Sequence, residues 1–241
     1  MYKQLFFDRD RFLAFIRTLP DTGHTQNQVF HVPEPVAIMT HDDHFDAEMF
    51  DWERAHGYEA TWFLLSDEIG WLGKALACNA DIQLHQSMER PDHIIDQIGE
   101  FVGKVGKPPT ANRNHRAFVR APHLDLTNLS MNGIRVDSTL QYGHDPYRIC
   151  VQGRLVPCWE LPFQVVDVGF VDATQYCHPV YNLAPMETLF EKERTPIVGL
   201  FHPYLKAHTR WQDFFALAEK YDYTVMTVSQ FYEKYLRGAP C

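Results

Sequence analysis

The sequence predicts an α/β protein whose strands run parallel in a sheet curled into a (β/α) barrel. Three observations lead there. Short apolar runs of strand type recur along most of the chain. Amphipathic helical patterns fall between several of them. Several of the apolar runs end in a polar side chain suited to chemistry, and the C-terminal rim of a barrel collects such residues.

The strand-like runs are Val36–Thr40, Ala60–Leu65, Asp81–Leu84, a run around Thr110–Asn112, Ile134–Asp137, Val156–Leu161, Ile197–Phe201 and Tyr223–Met226. In HIIDQIGEFVGKVG, residues Ile94, Ile95, Ile98, Phe101, Val102 and Val105 mark one helical face. Trp211, Phe214, Phe215, Ala218 and Tyr221 do the same in WQDFFALAEKY, and EMFDWERAHG stops at Gly57. Strands that alternate with helices imply a parallel sheet covered by those helices. Roughly eight such units in about 205 residues fit a compact or irregular barrel. Residues 1–35 read as an irregular or partly helical lead-in that ends in VPEP. The stretch 141–185 breaks the rhythm and is expected to form long loops or a hairpin over one end. No linker divides the chain, so residues 1–241 are expected to form one domain, with the barrel over about 36–236.

Bulk properties narrow the class. A chain of 241 residues that is 45% hydrophobic and 22% charged can bury a sizeable core. Its formal charge of -9, without a basic cluster, argues against nucleic acid or an anionic membrane as partner. The five cysteines include no CxxC pair, which fits free thiols in a reducing compartment. Asp8, Arg9, Asp10 and Arg11 interrupt the apolar start, so it is no signal-peptide core. No apolar run approaches the roughly 20 residues of a membrane span. A soluble cytoplasmic protein is the expectation.

The stretch VAIMTHDDHFD carries the main question of function. Asp42 and Asp43 follow a buried-type strand at once, and adjacent carboxylates beside a core repel each other and lose hydration. A cation, an arginine or exposure in a surface turn would each offset that. Elsewhere His85 closes DIQL, with Glu89 four residues on, a spacing that suits a divalent metal but also arises by chance. Arg113 and His115 follow TAN, and His202 closes IVGLF. Asp137-Ser138 closes GIRV and reads as a helix N-cap. Cys177-His178 invites a nucleophile reading but has no evident orienting acid. There is no G-x-S-x-G, phosphate loop or dinucleotide fingerprint.

The order THDD, LHQSME, NRNHR, GIRVDSTL, LPFQVVD, IVGLFHP resembles the polysaccharide deacetylase superfamily, the NodB homology domain of carbohydrate esterase family 4. ATWFLL at 60–65 is similar to that family's ATFF strand. The THD motif and the RxHR pattern resemble its WbmS-like, O-antigen branch most. The resemblance implies a distorted (β/α) barrel of about seven strands. It also implies one divalent metal ion, zinc foremost, and hydrolysis of N- or O-acetyl groups on a sugar. By position it makes Asp43, His85 and Glu89 metal ligands and Asp42 the general base. Arg113 would orient Asp42, His202 would be the general acid, and Asp167 would tune it. His115, Arg116 and Pro162 would line the sugar pocket. The implied partner is an acetylated sugar, nucleotide-sugar or lipid-linked glycan.

The chemistry is consistent with those roles. A metal at Asp43 would stabilise the anionic pair and polarise the acetyl carbonyl. Arg113 would keep Asp42 ionised to accept a proton, and a cationic His202 could give one to the leaving amine. The chain also departs from the family pattern. Glu89 stands where a second histidine is usual, His41 stands for the usual Phe, and Arg113-Asn114-His115-Arg116 replaces Arg-x-Pro-Tyr. His44, His115 or His123 could then supply the third ligand instead of Glu89. Two other readings stay open: a catalytically silent barrel that binds a glycan or partner protein, and a related C–N hydrolase such as a deformylase.

Overall fold

The computed structural model of the chain describes residues 9–70, 72–87, 94–115, 122–140, 144–167, 183–192, 195–207 and 209–239. Helix α1 (Arg9–Thr18) and strand β1 (Gln28–Val29) precede the long strand β2 (Val36–Asp43). Alternation then sets in: α2 (Ala47–Ala55), β3 (Thr61–Leu65), α3 (Gly73–Ala77), β4 (Asp81–Gln86), α4 (Ile94–Val105), β5 (Ala111–Asn114), α5 (Pro122–Met131) and β6 (Val136–Asp137). Short strands follow, β7 (Tyr147–Arg148), β8 (Cys150–Val151), β9 (Arg154–Leu155), β10 (Trp159–Glu160) and β11 (Val165–Val166). The chain continues through α6 (Leu183–Glu191), β12 (Ile197–Phe201), α7 (Trp211–Lys220), β13 (Thr224–Val225) and α8 (Val228–Phe231).

One sheet runs in the order β1-β7-β10-β6-β5-β4-β3-β2-β12-β11, with β13 also on β2. Every neighbouring pair from β10 to β11 is parallel. Among the described residues the curl is closed by the chain itself rather than by a strand pair. After β10 the backbone crosses from β6 to β12, bonding Leu161 N to Asp137 O, Phe163 N to Leu140 O and Gln164 N to Val198 O. The fold is a distorted α/β barrel.

Each apolar run read as a strand overlaps one in the structure. The lead-in does more than expected, because β1 adds an antiparallel strand beside β7. The stretch from 141 contributes β7, the β8–β9 hairpin, β10 and β11, and its far end enters α6. The two-residue strands β6, β10 and β13 lie within longer apolar runs and could be read; β1, β7, β8, β9 and β11 were not marked by such a run. Cys177 and His178 lie outside the described residues. Asp137-Ser138 does not cap a helix: Asp137 ends β6 and no helix follows over 138–140. Among the described residues no helix is long and apolar enough to cross a membrane.

Alternation along β2 sorts the core into two layers. Val36 and Ile38 point into the barrel with Phe63, Phe163, Val198 and Leu200. Ala37 and Met39 point outward beneath the helices, with Phe214 and Phe215 of α7. The outer layer is tight at Gly199 on β12, where an added Cβ would lie 2.8 Å from Cε2 of Phe214 and 3.0 Å from Cε2 of Phe201. Gly199→Ala should therefore lower stability by about 1–3 kcal/mol through overpacking. Urea unfolding reads this, and an unchanged midpoint would show that the two rings yield freely.

Candidate active site

The polar residues singled out in the sequence gather at the C-terminal ends of β2, β4, β5, β11 and β12. The backbone at the end of β2 explains how two adjacent aspartates serve one site. Successive strand side chains normally point to opposite faces. Asp43, however, has φ 75°, in the left-handed region. That turn lets Asp42 Oδ2 and Asp43 Oδ1 approach the same atom, His85 Nε2, at 3.9 and 3.3 Å. A non-glycine residue held there costs about 1–3 kcal/mol and persists only where surrounding structure fixes it.

Arg113 on β5 fixes much of it. Its side chain is only 1% exposed. Nη1 donates to Asp42 Oδ1 at 2.8 Å and to Thr40 Oγ1 at 2.6 Å. Nε donates to Ser138 O at 2.6 Å, and Nη2 donates to Ser138 Oγ at 2.8 Å. The guanidinium lies 4.5 Å from the ring centroid of Phe63 and 5.2 Å from that of Phe163. Four hydrogen bonds and two aromatic faces offset the lost hydration of the buried cation that pairs with Asp42. Thr40 Oγ1 also donates to Gly199 O at 2.7 Å, tying this clamp to β12.

The opposite side of Asp43 has unmet polar atoms. His85 Nδ1 lies 2.9 Å from Arg113 O. A carbonyl only accepts, so Nδ1 carries a proton, and in the neutral tautomer this selects, Nε2 is the lone-pair nitrogen that faces Asp43. His85 Nε2 and Asp43 Oδ1 are both buried, and neither has a hydrogen-bond partner. Their 3.3 Å contact is close enough for an ion pair but makes no hydrogen bond. His115 Nε2 stands 3.7 Å from the same Asp43 oxygen. One ligand atom each from Asp43, His85 and His115 lies within 4.8 Å of the others. Facing lone pairs without a proton between them fit a cation, and two imidazoles with a carboxylate are a catalytic zinc donor set.

His202 follows β12 on the other flank. Asp167, fully buried after β11, holds it twice: the ring Nδ1 at 2.7 Å and the backbone N–H at 2.6 Å. Nε2 is left 3.9 Å from Asp43 Oδ2. Burial lowers the affinity of this ring for a proton. The bond to Asp167 and the charges of Asp42, Asp167 and Asp43 outweigh that, so its pKa is raised.

The sequence candidates thus divide. Asp42, Asp43, His85, Arg113, His115, Asp167 and His202 meet. Glu89 and Arg116 lie outside the described residues. His44 stacks near Tyr204 with ring centroids 6.3 Å apart and does not join the cluster. His123 is exposed on α5. Pro162 is buried in the segment that crosses from β10 to β11. Thr40, Phe63, Phe163 and Ser138 were not anticipated as supports for Arg113. Thr40 sat within the quoted THDD, but nothing in the spacing shows that its hydroxyl meets a guanidinium. His41 faces away from the site, where its Nε2 lies 2.6 Å from Glu53 Oε1 of α2, both side chains buried. Its ring packs 4.3 Å from that of Trp62.

No protein-family model matches the chain, and no curated protein does. Solved structures do. A candidate polysaccharide deacetylase from Mycobacterium smegmatis shares 16% identity over 85% of this chain and 92% of that one, with a TM-score of 0.56. A peptidoglycan N-acetylglucosamine deacetylase shares 14% over 84% and 90%, with a TM-score of 0.53. A carbohydrate esterase family 4 pseudoenzyme from Bacillus anthracis shares 11% over 84% and 66%, with a TM-score of 0.52. The chain has the fold of the polysaccharide deacetylases.

Proposed function

We propose that this chain is a single-domain, metal-dependent deacetylase that hydrolyses an N- or O-acetyl group on a sugar. The observation that carries the proposal is the pair of buried, unpartnered atoms Asp43 Oδ1 and His85 Nε2, beside an aspartate ion-paired with Arg113. Asp43, His85 and His115 would hold the ion, zinc by donor type. When bound, it would supply Lewis-acid polarisation of the acetyl carbonyl. Asp42 accepts the proton of the attacking water, and Arg113 holds and orients it for that. His202, oriented and charged through Asp167, donates a proton to the departing nitrogen or oxygen. The substrate class we infer is an acetylated sugar, nucleotide-sugar or lipid-linked glycan. The THDD and NRNHR motifs are what support a role in O-antigen-type biosynthesis.

Elemental analysis of protein purified without chelator tests the donor set. The parent should carry or take up one divalent transition-metal ion, and Asp43→Ala should take up none, because the anionic member of the set Asp43, His85 and His115 is gone. Glycan binding by a parent that takes up no metal and releases no acetate would replace this reading with that of a silent binding barrel, as the Bacillus anthracis pseudoenzyme makes conceivable on this fold.

A further inference from the structure

Two more buried acids lie beneath the site and take no part in it. Asp137 ends β6 and Glu160 ends β10, and they are direct partners in the parallel register of those strands. Their exposures are 2% and 0%. Asp137 Oδ1 accepts from Asn112 Nδ2 and from Thr139 Oγ1, both at 2.9 Å. Glu160 Oε1 accepts from the backbone N–H groups of Thr139 at 3.1 Å and Leu140 at 2.8 Å. Glu160 Oε2 is buried without a partner.

No charge nearby resolves the pair. The titratable and charged groups around it are Asp125 of α5, Arg135 ahead of β6, Tyr147 of β7 and Cys158 ahead of β10. Asp125 adds negative charge, and burial followed by the two acids keeps the phenol and the thiol protonated. Arg135 acts on Cys158, and among the described residues no ion pair joins a cation to either acid. Burial raises both carboxyls, and the charge of Asp137 raises Glu160 further. Two ionised carboxylates side by side in such an interior are not sustainable; sharing a proton is the usual solution. A proton on Glu160 Oε2, which no donor reaches, would bond it to Asp137.

The same acids hold residues 138–140, and that segment seats Arg113. Ser138 supplies two of the four acceptors of the guanidinium. Thr139 Oγ1 donates to Asp137 and accepts from Asn114 N at 2.9 Å. We propose that Asp137 and Glu160 share one proton at neutral pH and that this pair positions Ser138 and Thr139 to receive Arg113. That Arg113 thereby serves catalysis rests on the deacetylase reading; the shared proton does not.

Glu160→Gln tests the proton. The amide keeps the shape, the Oε1 acceptor and a donor toward Asp137, but carries no titratable proton. The folded parent would hold a proton that its unfolded chain has lost. A raised acid stabilises fully at low pH and progressively less as pH rises toward its folded value. As pH rises above the ordinary carboxylate range, the folding constant of the parent relative to Glu160→Gln should fall, by up to about tenfold per pH unit, until pH passes the raised folded value. Identical pH dependence of the two proteins in urea unfolding would overturn the shared proton. The Arg113 Nε–H resonance tests positioning without turnover. Glu160→Leu removes the acceptor for Thr139 and Leu140 and should shift that resonance and lower kcat with KM little changed, while Glu160→Gln restores both. If Glu160→Leu does not fold, Thr139→Val, which cuts the link from Asp137 to Asn114, takes its place. A resonance unmoved in the leucine or valine variant overturns the positioning role. A shifted resonance in a chain whose parent releases no acetate upholds positioning and counts against the deacetylase reading instead.

Discussion

Replacing Asp42 by asparagine should slow acetate release by about 10²–10⁴-fold, the range for loss of a general base, with metal content unchanged. The asparagine oxygen can still accept from Arg113 Nη1, so the shape of the clamp survives. What goes is the ability to take a proton from water. Asp42 is suited to that task because it is only 2% exposed yet ion-paired with Arg113 at 2.8 Å. The assay is acetate release from acetylated sugars, sugar nucleotides and glycolipids, parent against variant. Equal rates would remove Asp42 from the chemistry. A fall in metal content alongside the rate would move it into the ligand set.

The largest loss of stability is expected at Arg113. Arg113→Met retains much of the volume packed against Phe63 and Phe163 but removes the charge. Asp42 is then left buried opposite no cation, and Thr40 and Ser138 lose their donors. Breaking one side of a buried ion pair costs about 3–5 kcal/mol. Adding Asp42→Asn should return part of that loss, because the stranded charge is gone, and a double-mutant cycle by urea unfolding measures the coupling. Strict additivity would mean that Arg113 stabilises the barrel through its bonds to Ser138 and its aromatic contacts alone.

How much of this was legible in the sequence depends on range. The parallel barrel could be read because β2, β3, β4 and β12 are long apolar runs separated by amphipathic helices such as α4 and α7. The strands β1, β7 and β11 were not, since two residues give no periodicity and, unlike β6, β10 and β13, none was marked by a longer apolar run. At the site, Asp42, Asp43, His85, Arg113 and His202 were visible as polar residues closing strand runs. The left-handed backbone of Asp43, which lets both aspartates face His85, has no sequence signal of its own. Glu53 behind His41 and the Asp137–Glu160 pairing depend on which strand and helix become neighbours. The N-cap reading of Asp137-Ser138 went astray for that reason: the local pattern is that of a cap, but β10 brings Glu160 alongside and the segment becomes a seat for Arg113.

The most direct test is a crystal structure of the metal-loaded protein with anomalous scattering recorded at the absorption edge of the metal. The proposed site requires one strong anomalous peak within ligand distance of Asp43, His85 and His115, about 2.0–2.2 Å for zinc to nitrogen or oxygen, with Asp42 still held by Arg113 outside the ligand set. A peak away from Asp43, or no peak in crystals soaked with zinc, cobalt or iron, would contradict it.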